Sequence, residues 1–456
     1  KVKNTITPDG FVNFNPMNQV QIFSIAEGLS MVLWLFILFW AGRYVRMRYN
    51  NEQIGKFFYL GWGFKIFFAL VFALVYLFTL GGGGINAYWD SATVLNKLFI
   101  DNPLGYFQEL WSTDRSLGIT LHFNSETGYP PGWIWRESEA WNAAKILSIF
   151  SVLTLNSFWA TTLLIASFVF FTSWLIVYRI TTNEAFNSKA VMFAFLFFPS
   201  VTFWCSGISK DSQVYTLSLL LIYQLFLWLK WDQKRSVWRA LLMVLIFYLI
   251  LNLRQFIALA IIGPFLLSVV VRYGSRLSQR PVILLFFRLF VYALLVIGFM
   301  LIANAEQTQS LIQEAQITQS DFSQNPIYTG AKYELSTMDG TPTGILLAMP
   351  ESVFIALYRP FITENLGLNF VVNQLESLLL IFLSLWFLVN KNVFSNLRHL
   401  FKSEFAIYAF TFVLLIAFMA GYTSILFGVL VRIRAIALPF FFLLLTFRKP
   451  KVTSTT

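Results

Sequence analysis

Long apolar segments separated by short polar connections recur along the whole chain. Eleven of them are long enough to cross the ~30 Å hydrocarbon layer of a membrane as helices. Two of these segments, 188–204 and 238–253, are short, so a pair that re-enters the membrane is an alternative to full crossings. The predicted spans are 22–43, 58–80, 157–178, 188–204, 211–230, 238–253, 255–272, 282–303, 371–390, 404–424 and 428–447.

The connections between these spans alternate in charge. The connection after the first span is strongly basic, and every second connection that follows it is basic as well. Lys and Arg accumulate in the cytoplasmic loops of membrane proteins, so we predict an N-terminus outside the cytoplasm and a cytoplasmic C-terminus. The carboxylates predicted to share the cytoplasmic side with these cations are Glu52, Glu184, Asp232 and Glu404.

Two connections, 81–156 and 304–370, are much longer than the others, and the charge pattern places both on the outer side. Amphipathic segments at 91–101 and 103–112 predict two short helices in the membrane interface. The cytoplasmic connections are short and contain neither a Walker motif nor GxGxxG. The sequence therefore predicts one all-α polytopic membrane domain, 1–456, with an extracytoplasmic cap formed by the two long connections.

Composition agrees with a membrane protein and removes several other classes. Apolar residues make up 57% of the chain and charged residues 12%. A single cysteine, Cys205, excludes an intrachain disulfide, and with only two histidines a Cys/His metal site cannot be assembled. The net charge of +11 comes from basic residues in short loops rather than from one basic surface, so nucleic acid is not the expected partner.

The first outer connection carries candidate acidic chemistry close to the membrane. Asp90 is the candidate general base, and either Asp114 or Glu126 is a candidate to join it around a hydroxyl or a divalent metal. Any such metal, Mg²⁺ or Mn²⁺, would be held by carboxylates, and Trp111 and Glu126 are candidate sugar contacts. The alternative is structural, with Asp90 as the N-cap of a helix over 91–101.

Cations on the predicted outer side are candidates for binding a phosphate. The sharpest pattern is Arg432 and Arg434, two arginines inside an apolar stretch on the side where the positive-inside rule makes them rare. Guanidinium groups bind phosphate through paired hydrogen bonds. The alternatives are headgroup contacts, and internal salt bridges with Asp211, Glu364 or Glu376. The candidate phosphate-binding residues are Lys210, Arg254, Arg359, Arg432 and Arg434.

These segments resemble multispanning bacterial enzymes of cell-surface polysaccharide assembly, namely the GT-C glycosyltransferases and the O-antigen-polymerase-like proteins. The resemblance covers most of the chain but rests on loose patterns. One departure is the predicted span 22–43, which precedes the span that leads into the Asp90 loop, and another is the lack of a clear paired-acid motif. The similar segments are Tyr88-Trp89-Asp90, the run from Phe198 to Asp211, the run from Arg359 to Glu376, and Arg432-Ile433-Arg434 with the Leu-Pro-Phe that follows.

The resemblance implies sugar transfer from a polyprenyl-phosphate or polyprenyl-diphosphate donor to a glycan, lipid or protein acceptor at the outer face of the bacterial cytoplasmic membrane. A polymerase of lipid-linked oligosaccharides is a second alternative, and it would use the same arginine clamp. A non-catalytic subunit of a membrane complex is a third, and a transporter is a weaker fourth. Convergence of the outer charges on one cavity would favour an enzyme, whereas individually paired charges would favour a subunit.

Overall fold

The computed structural model describes residues 24–79, 83–112, 122–232, 236–277, 330–335, 342–367 and 370–448, together with 317, 320–322 and 324. Within these ranges the regular secondary structure is helical, apart from one isolated bridge between Lys332 and Leu426. The helices are α1 (Ile25–Arg48), α2 (Phe58–Phe78), α3 (Gly83–Asp101), α4 (Pro103–Trp111), α5 (Gly132–Arg136), α6 (Ser138–Leu153), α7 (Phe158–Asn183), α8 (Ser188–Met192), α9 (Pro199–Trp204), α10 (Lys210–Phe226), α11 (Val237–Leu253), α12 (Gln255–Leu277), α13 (Pro342–Tyr358), α14 (Val371–Val389), α15 (Val393–Leu400), α16 (Glu404–Thr423), α17 (Phe427–Arg434) and α18 (Leu438–Thr446).

Seven helices in the described residues are long and apolar enough to cross a membrane, and α17 with α18 forms an eighth candidate that is bent by 63°. The seven coincide with predicted spans, so the chain is an all-α, multi-pass membrane protein. The predicted span 188–204 is divided, because one helical stretch ends at Phe197 and α9 begins at Pro199. The predicted span 282–303 lies outside the described residues. The seven long helices are α1, α2 with the turn before it, α7, α10, α12, α14 and α16.

Helix α13 lies where the sequence predicted an outer connection. Pro350 and Glu351 interrupt its apolar pattern, which is why hydropathy alone missed it. The helix packs against α16, where Ile345 and Ala348 share a buried cluster with residues of α16. The crossing is close, since a side chain at Gly421 would collide with the backbone of Ser352.

The chain divides into two compact units. The first comprises Lys1–Arg48, Trp62–Phe171 and Ser206–Gln213, and the second comprises Tyr49–Gly61, Thr172–Cys205 and Val214–Thr456. In the first unit α3 packs along α6, and aromatic residues of the loops close a core over both helices. The two helices predicted in the membrane interface are present as α3 and α4. However, the apolar face of α3 that was expected to meet lipid is buried in this protein core, whereas Leu104, Phe107 and Trp111 of α4 are exposed.

In the second unit α16 packs against α12, α13, α17 and α18. A charge network gathers at its N-terminal end, where Lys230 lies 3.0 Å from Glu184 and 3.3 Å from Glu404, and Arg272 lies 3.7 Å from Glu404. The sequence assigned Glu184 and Glu404 to the cytoplasmic side, and Lys230 and Arg272 end the predicted spans 211–230 and 255–272 at basic connections assigned to that same side. Because the four side chains are in contact, all four positions lie at the same end of α16.

The opposite end of α16 collects residues that were assigned to the other side. Tyr333 donates its backbone N–H to the carbonyl of Ile425 at 3.0 Å, and the Arg359 guanidinium lies 5.0 Å from the ring centre of Phe427. Helix α16 has 20 residues, or about 30 Å at 1.5 Å per residue, so it separates the two groups by about the thickness of a bilayer core.

Candidate functional site

Three of the polar segments identified in the sequence meet in the second unit, at the C-terminal end of α16. Helix α9 contacts both α14 and α17, and α13 contacts α14 and α17. The Pro-Ser segment, the segment after Arg359 and the pair of late arginines therefore belong to one assembly, which we call the arginine cluster. It consists of Ser200, Trp204, Arg359, Glu364, Asn373, Glu376, Ser377, Arg432 and Arg434.

Arg434 lies at the centre of the arginine cluster and is fully buried. Its Nη1 donates to the carbonyl oxygen of Ala356 at 3.1 Å and also to the carbonyl oxygen of Arg359. Its Nη2 donates to Ser377 Oγ at 3.3 Å. The last carbonyl groups of a helix lack partners within the helix, and cations are favourable beside them. Arg434 therefore closes the C-terminal end of α13 and fastens it to α14.

Glu376 joins two further helices of the cluster, α14 and α9, through hydrogen bonds. It is 4% exposed, and its carboxylate accepts hydrogen bonds from both the backbone N–H and the hydroxyl of Ser200. Asn373, one turn earlier in α14, donates to the same hydroxyl at 3.0 Å. Because a buried carboxylate is costly unless it is hydrogen-bonded, the two hydrogen bonds from Ser200 stabilise Glu376, and Asn373 helps to hold the Ser200 hydroxyl in place.

Arg359 is bound within its own loop. Its Nη2 lies 2.6 Å from Oε1 of Glu364, and its Nε donates to the same oxygen at 2.6 Å. Aromatic rings enclose the guanidinium, with the centre of Phe427 at 5.0 Å and that of Tyr333 at 5.7 Å. This ion pair is one of the three internal salt bridges that the sequence left open as alternatives to phosphate binding.

Arg432 differs from the other members of the cluster. Its guanidinium lies over the indole ring of Trp204, 4.7 Å from the ring centre, in a cation–π contact. Among the described residues no hydrogen bond or ion pair satisfies it, and its Nε is buried without a hydrogen-bond partner. Positions i and i+2 of a helix do not share a face. Arg432 and Arg434 therefore point to different surroundings, one towards Trp204 and the other into the contact between α13 and α14.

Arg254 occupies the break between α11 and α12. Its backbone is extended, its N–H donates to the carbonyl of Ile250 at 2.8 Å, and its carbonyl accepts from the N–H of Ile257 at 3.1 Å. The side chain is 9% exposed. The polar break predicted from the sequence at this position is therefore a real interruption between two apolar helices.

Asp90 lies in the first unit, well inside α3 rather than at its start. The helix begins at Gly83, so the alternative that Asp90 caps a helix over 91–101 is wrong. Burial raises the pKa of its carboxyl from 3.8 to about 6. Neither a hydrogen bond nor an ion pair joins this carboxyl to another of the described residues. A carboxyl with these properties exchanges a proton near neutral pH, as a general base must.

The remaining candidates of the first unit lie in varied settings. Lys210 forms ion pairs with Glu139 at 2.8 Å and Glu137 at 3.6 Å, so its charge is balanced by protein carboxylates. Trp111, at the end of α4, is 67% exposed. Glu126 is exposed in a turn, where its N–H donates to Asn124 Oδ1 at 2.8 Å. Asp114 lies outside the described residues.

Metal ligation by carboxylates was left open from the sequence. The described ranges contain no group of three or more His, Cys, Asp or Glu side chains that could hold a metal ion. The sequence did identify Glu376, as a possible ion-pair partner of the outer arginines and as the end of the run from Arg359, but it missed the contact with Ser200. A signal was present, because Asn373 and Glu376 are one helical turn apart in an otherwise apolar segment.

No protein-family model, no curated protein and no solved structure matches this chain. The resemblance to polysaccharide-assembly enzymes therefore rests on the sequence patterns alone.

Proposed function

We propose that this protein is a membrane glycosyltransferase that takes its sugar from a polyprenyl-phosphate or polyprenyl-diphosphate donor at the outer face of the bacterial cytoplasmic membrane. The observation that carries the proposal is Arg432, a guanidinium that keeps its hydrogen-bonding capacity while the arginines around it are engaged by protein acceptors. A membrane offers few anions other than phosphate groups, and arginine suits them in charge and geometry.

In the proposed reaction, an acceptor hydroxyl attacks the anomeric carbon of the donor sugar. The bond between that carbon and the phosphate oxygen breaks, and the polyprenyl phosphate or diphosphate leaves with the bonding electrons. The hydroxyl gives its proton to a general base, and within the first unit the raised pKa of Asp90 suits that role at neutral pH. Arg432 stabilises the charge that develops on the departing phosphate. Arg434 and Glu376 act as positioning residues, since their contacts hold the helices that carry Arg432 and Trp204.

The assignment of the reaction to the outer face of the membrane rests on the basic connections, which are predicted to be cytoplasmic. The charge network of Glu184, Lys230, Arg272 and Glu404 supports their common side, and the arginine cluster lies at the other end of α16. The proposal therefore includes an N-terminus outside the cytoplasm and a cytoplasmic C-terminus. In this proposal a divalent metal, if one takes part, is bound by carboxylates beside Asp90 and assists the deprotonation of the acceptor hydroxyl.

One observation favours the second candidate, a non-catalytic subunit of a membrane complex. Lys210, Arg359 and Arg434 each have hydrogen-bond or ion-pair partners in the protein, although the Nε of Arg434 is buried without one, and such partners are expected if the outer charges only hold the fold together. A lipid-linked oligosaccharide polymerase is a variant of the first candidate, and it differs in the size of the group transferred.

The test is the accumulation of lipid-linked saccharide in cells depleted of the native protein and supplied with wild type, Asp90→Asn or Arg432→Gln at equal abundance. A transferase or polymerase predicts accumulation with both variants and normal levels with the control variants Asp101→Asn and Arg398→Gln. Accumulated single sugars would identify a transferase, and accumulated oligosaccharide units a polymerase. Normal levels in every strain, the depleted one included, would contradict the enzyme and favour the subunit.

A further inference from the structure

A groove opens between α1 and α2 in the first unit, and neither Asp90 nor Lys210 is among the residues that line it. It has a volume of about 390 Å³. Gly28 and Met31 line it from α1, and Leu70 and Leu74 line it from α2. Ser24, Glu27 and Trp159 complete its lining. Both helices are long enough to span a membrane, so the groove faces hydrocarbon along most of its length.

The groove exists because α1 is attached to the rest of the unit at separate points. Near its start, Glu27 accepts a hydrogen bond from the Ser157 hydroxyl at 2.6 Å and from the N–H of Phe158 at 3.2 Å. Farther along, Gly42 packs so closely on Trp62 that a Cβ there would collide with the ring. Only 11% of the apolar window of α1 is buried, so between these points the two helices stand apart.

A gap of this kind between packed helices loses the dispersion contacts of its walls unless something fills it. The bilayer supplies hydrocarbon chains at this depth. The volume lies near the lower end of the ~300–1,000 Å³ range for small-molecule sites, which suits one acyl chain of ordinary length and is too little for a long polyprenyl chain. The carboxylate of Glu27, one of the lining residues, complements a cationic headgroup and repels an anionic one.

We propose that this groove binds one acyl chain of a phospholipid with an ammonium headgroup, such as phosphatidylethanolamine, and that the lipid holds α1 against α2. The headgroup ammonium lies beside Glu27, and the chain runs along Gly28, Met31, Leu70 and Leu74. This site is independent of the proposed glycosyl transfer, and it concerns a lipid that stays bound rather than one that reacts.

Gly28 offers a direct way to block the groove. A Cβ at Gly28 would meet no atom within 4 Å, and Gly28 lines the groove, so the Gly28→Leu side chain begins in open space and takes up room in the groove. Gly63, in α2, is equally open and does not line the groove, which makes Gly63→Leu the matched control. Leu74→Trp fills the same space from the other helix and guards against a folding defect specific to α1.

The measurement is native mass spectrometry of the detergent-purified protein with added phosphatidylethanolamine, phosphatidylglycerol or polyprenyl phosphate. Wild type and Gly63→Leu should retain one phosphatidylethanolamine, whereas Gly28→Leu and Leu74→Trp should weaken its retention at least tenfold. Removing lipid should lower the Tm of wild type and leave that of Gly28→Leu unchanged. Equal retention in wild type and both groove variants would overturn the site. Preferential retention of phosphatidylglycerol or of polyprenyl phosphate by wild type would overturn the identity of the lipid.

Discussion

The two ends of α16 differ in the numbers of positively and negatively charged side chains around them. At the Glu404 end, Lys230 and Arg272 face Glu184 and Glu404, two cations against two carboxylates in one network. At the other end, the arginine cluster contains three arginines, Arg359, Arg432 and Arg434, and two carboxylates, Glu364 and Glu376.

The difference separates charges that are bonded to each other from a charge that has no hydrogen bond or ion pair among the described residues. A balanced and mutually bonded network satisfies its own members, and removing one of them costs stability. A cluster with one cation in excess keeps an unsatisfied group at a cost in stability, and natural proteins retain such groups mainly where function needs them. Arg432 is that excess cation, since Arg359 and Arg434 have protein partners.

Replacing Arg434 by Met should have the largest effect on stability. The change removes the donors to two backbone carbonyls and to Ser377, and it removes a positive charge that favours the buried Glu376 carboxylate. Breaking a buried charge arrangement costs about 3–5 kcal/mol, so we expect loss of most folded protein or a large fall in Tm. Thermal unfolding in detergent measures this. Arg398→Met, at an exposed position, is the control, and an Arg434→Met protein with the Tm of wild type would remove Arg434 from its positioning role.

Gly421→Ala should come next, because it separates the helices that connect the two ends. The new methyl group would strike the Ser352 backbone and push α13 away from α16. Overpacking of this kind costs about 1–3 kcal/mol. Gly428→Ala adds the same group where nothing lies within 4 Å, so it should leave the Tm nearly unchanged. Equal Tm values for the two variants would show that the close crossing of α13 and α16 is not required.

Glu404→Gln should have a smaller effect. Its carboxylate is 20% exposed, and Lys230 retains Glu184 as a second partner after the change. We expect a loss of about 1 kcal/mol in the free energy of unfolding and no change in lipid-linked saccharide. Denaturant titration gives the first quantity. A rise in lipid-linked saccharide with this variant would break the distinction between the two ends.

Much of the fold followed from the sequence, because apolar length alone identifies a membrane-spanning helix. Hydropathy located all seven long helices. It missed α13, since Pro350 and Glu351 lower the average over a helix whose burial against α16 depends on tertiary contacts. The bend between α17 and α18 was also missed, because a break of a few residues hardly alters the hydropathy of a window.

The candidate site was predicted in part. Spacing and polarity identified the segments that form the arginine cluster, but they treated Arg432 and Arg434 as one clamp. Residues i and i+2 of a helix point in different directions and have different surroundings. The Arg434 guanidinium therefore binds a backbone carbonyl, whereas the Arg432 guanidinium lies over the ring of Trp204. Pairings such as Lys210 with Glu139 join residues far apart in the chain, and a single sequence carries no signal for them.

Asp90→Asn should raise stability slightly. Its carboxyl has a pKa of about 6 in the folded protein, against the ordinary value of 3.8 expected in the unfolded chain. Between these two pH values the folded state therefore binds more protons than the unfolded state. The stability that protonation provides is therefore present below pH 4 and lost as pH rises through 6. The variant should exceed wild type by about 1 kcal/mol at pH 7.5, after allowance for solvent screening, and match it at pH 4. Tm values at both pH values test this, with Asp101→Asn as the control, and a variant less stable than wild type at pH 7.5 would contradict it.

Arg432→Gln should change stability least, because the side chain loses a cation–π contact worth about 0.5–1 kcal/mol and no hydrogen bond or ion pair to any described residue. What it should lose is the response to ligand. Saturating polyprenyl phosphate stabilises a protein that binds it by about 2.7 kcal/mol at a hundredfold excess over Kd, so it should raise the Tm of wild type and of Arg398→Gln but not that of Arg432→Gln. If all three proteins responded alike, the excess cation would have no part in binding phosphate. The contrast between the two ends of α16 would then describe packing alone.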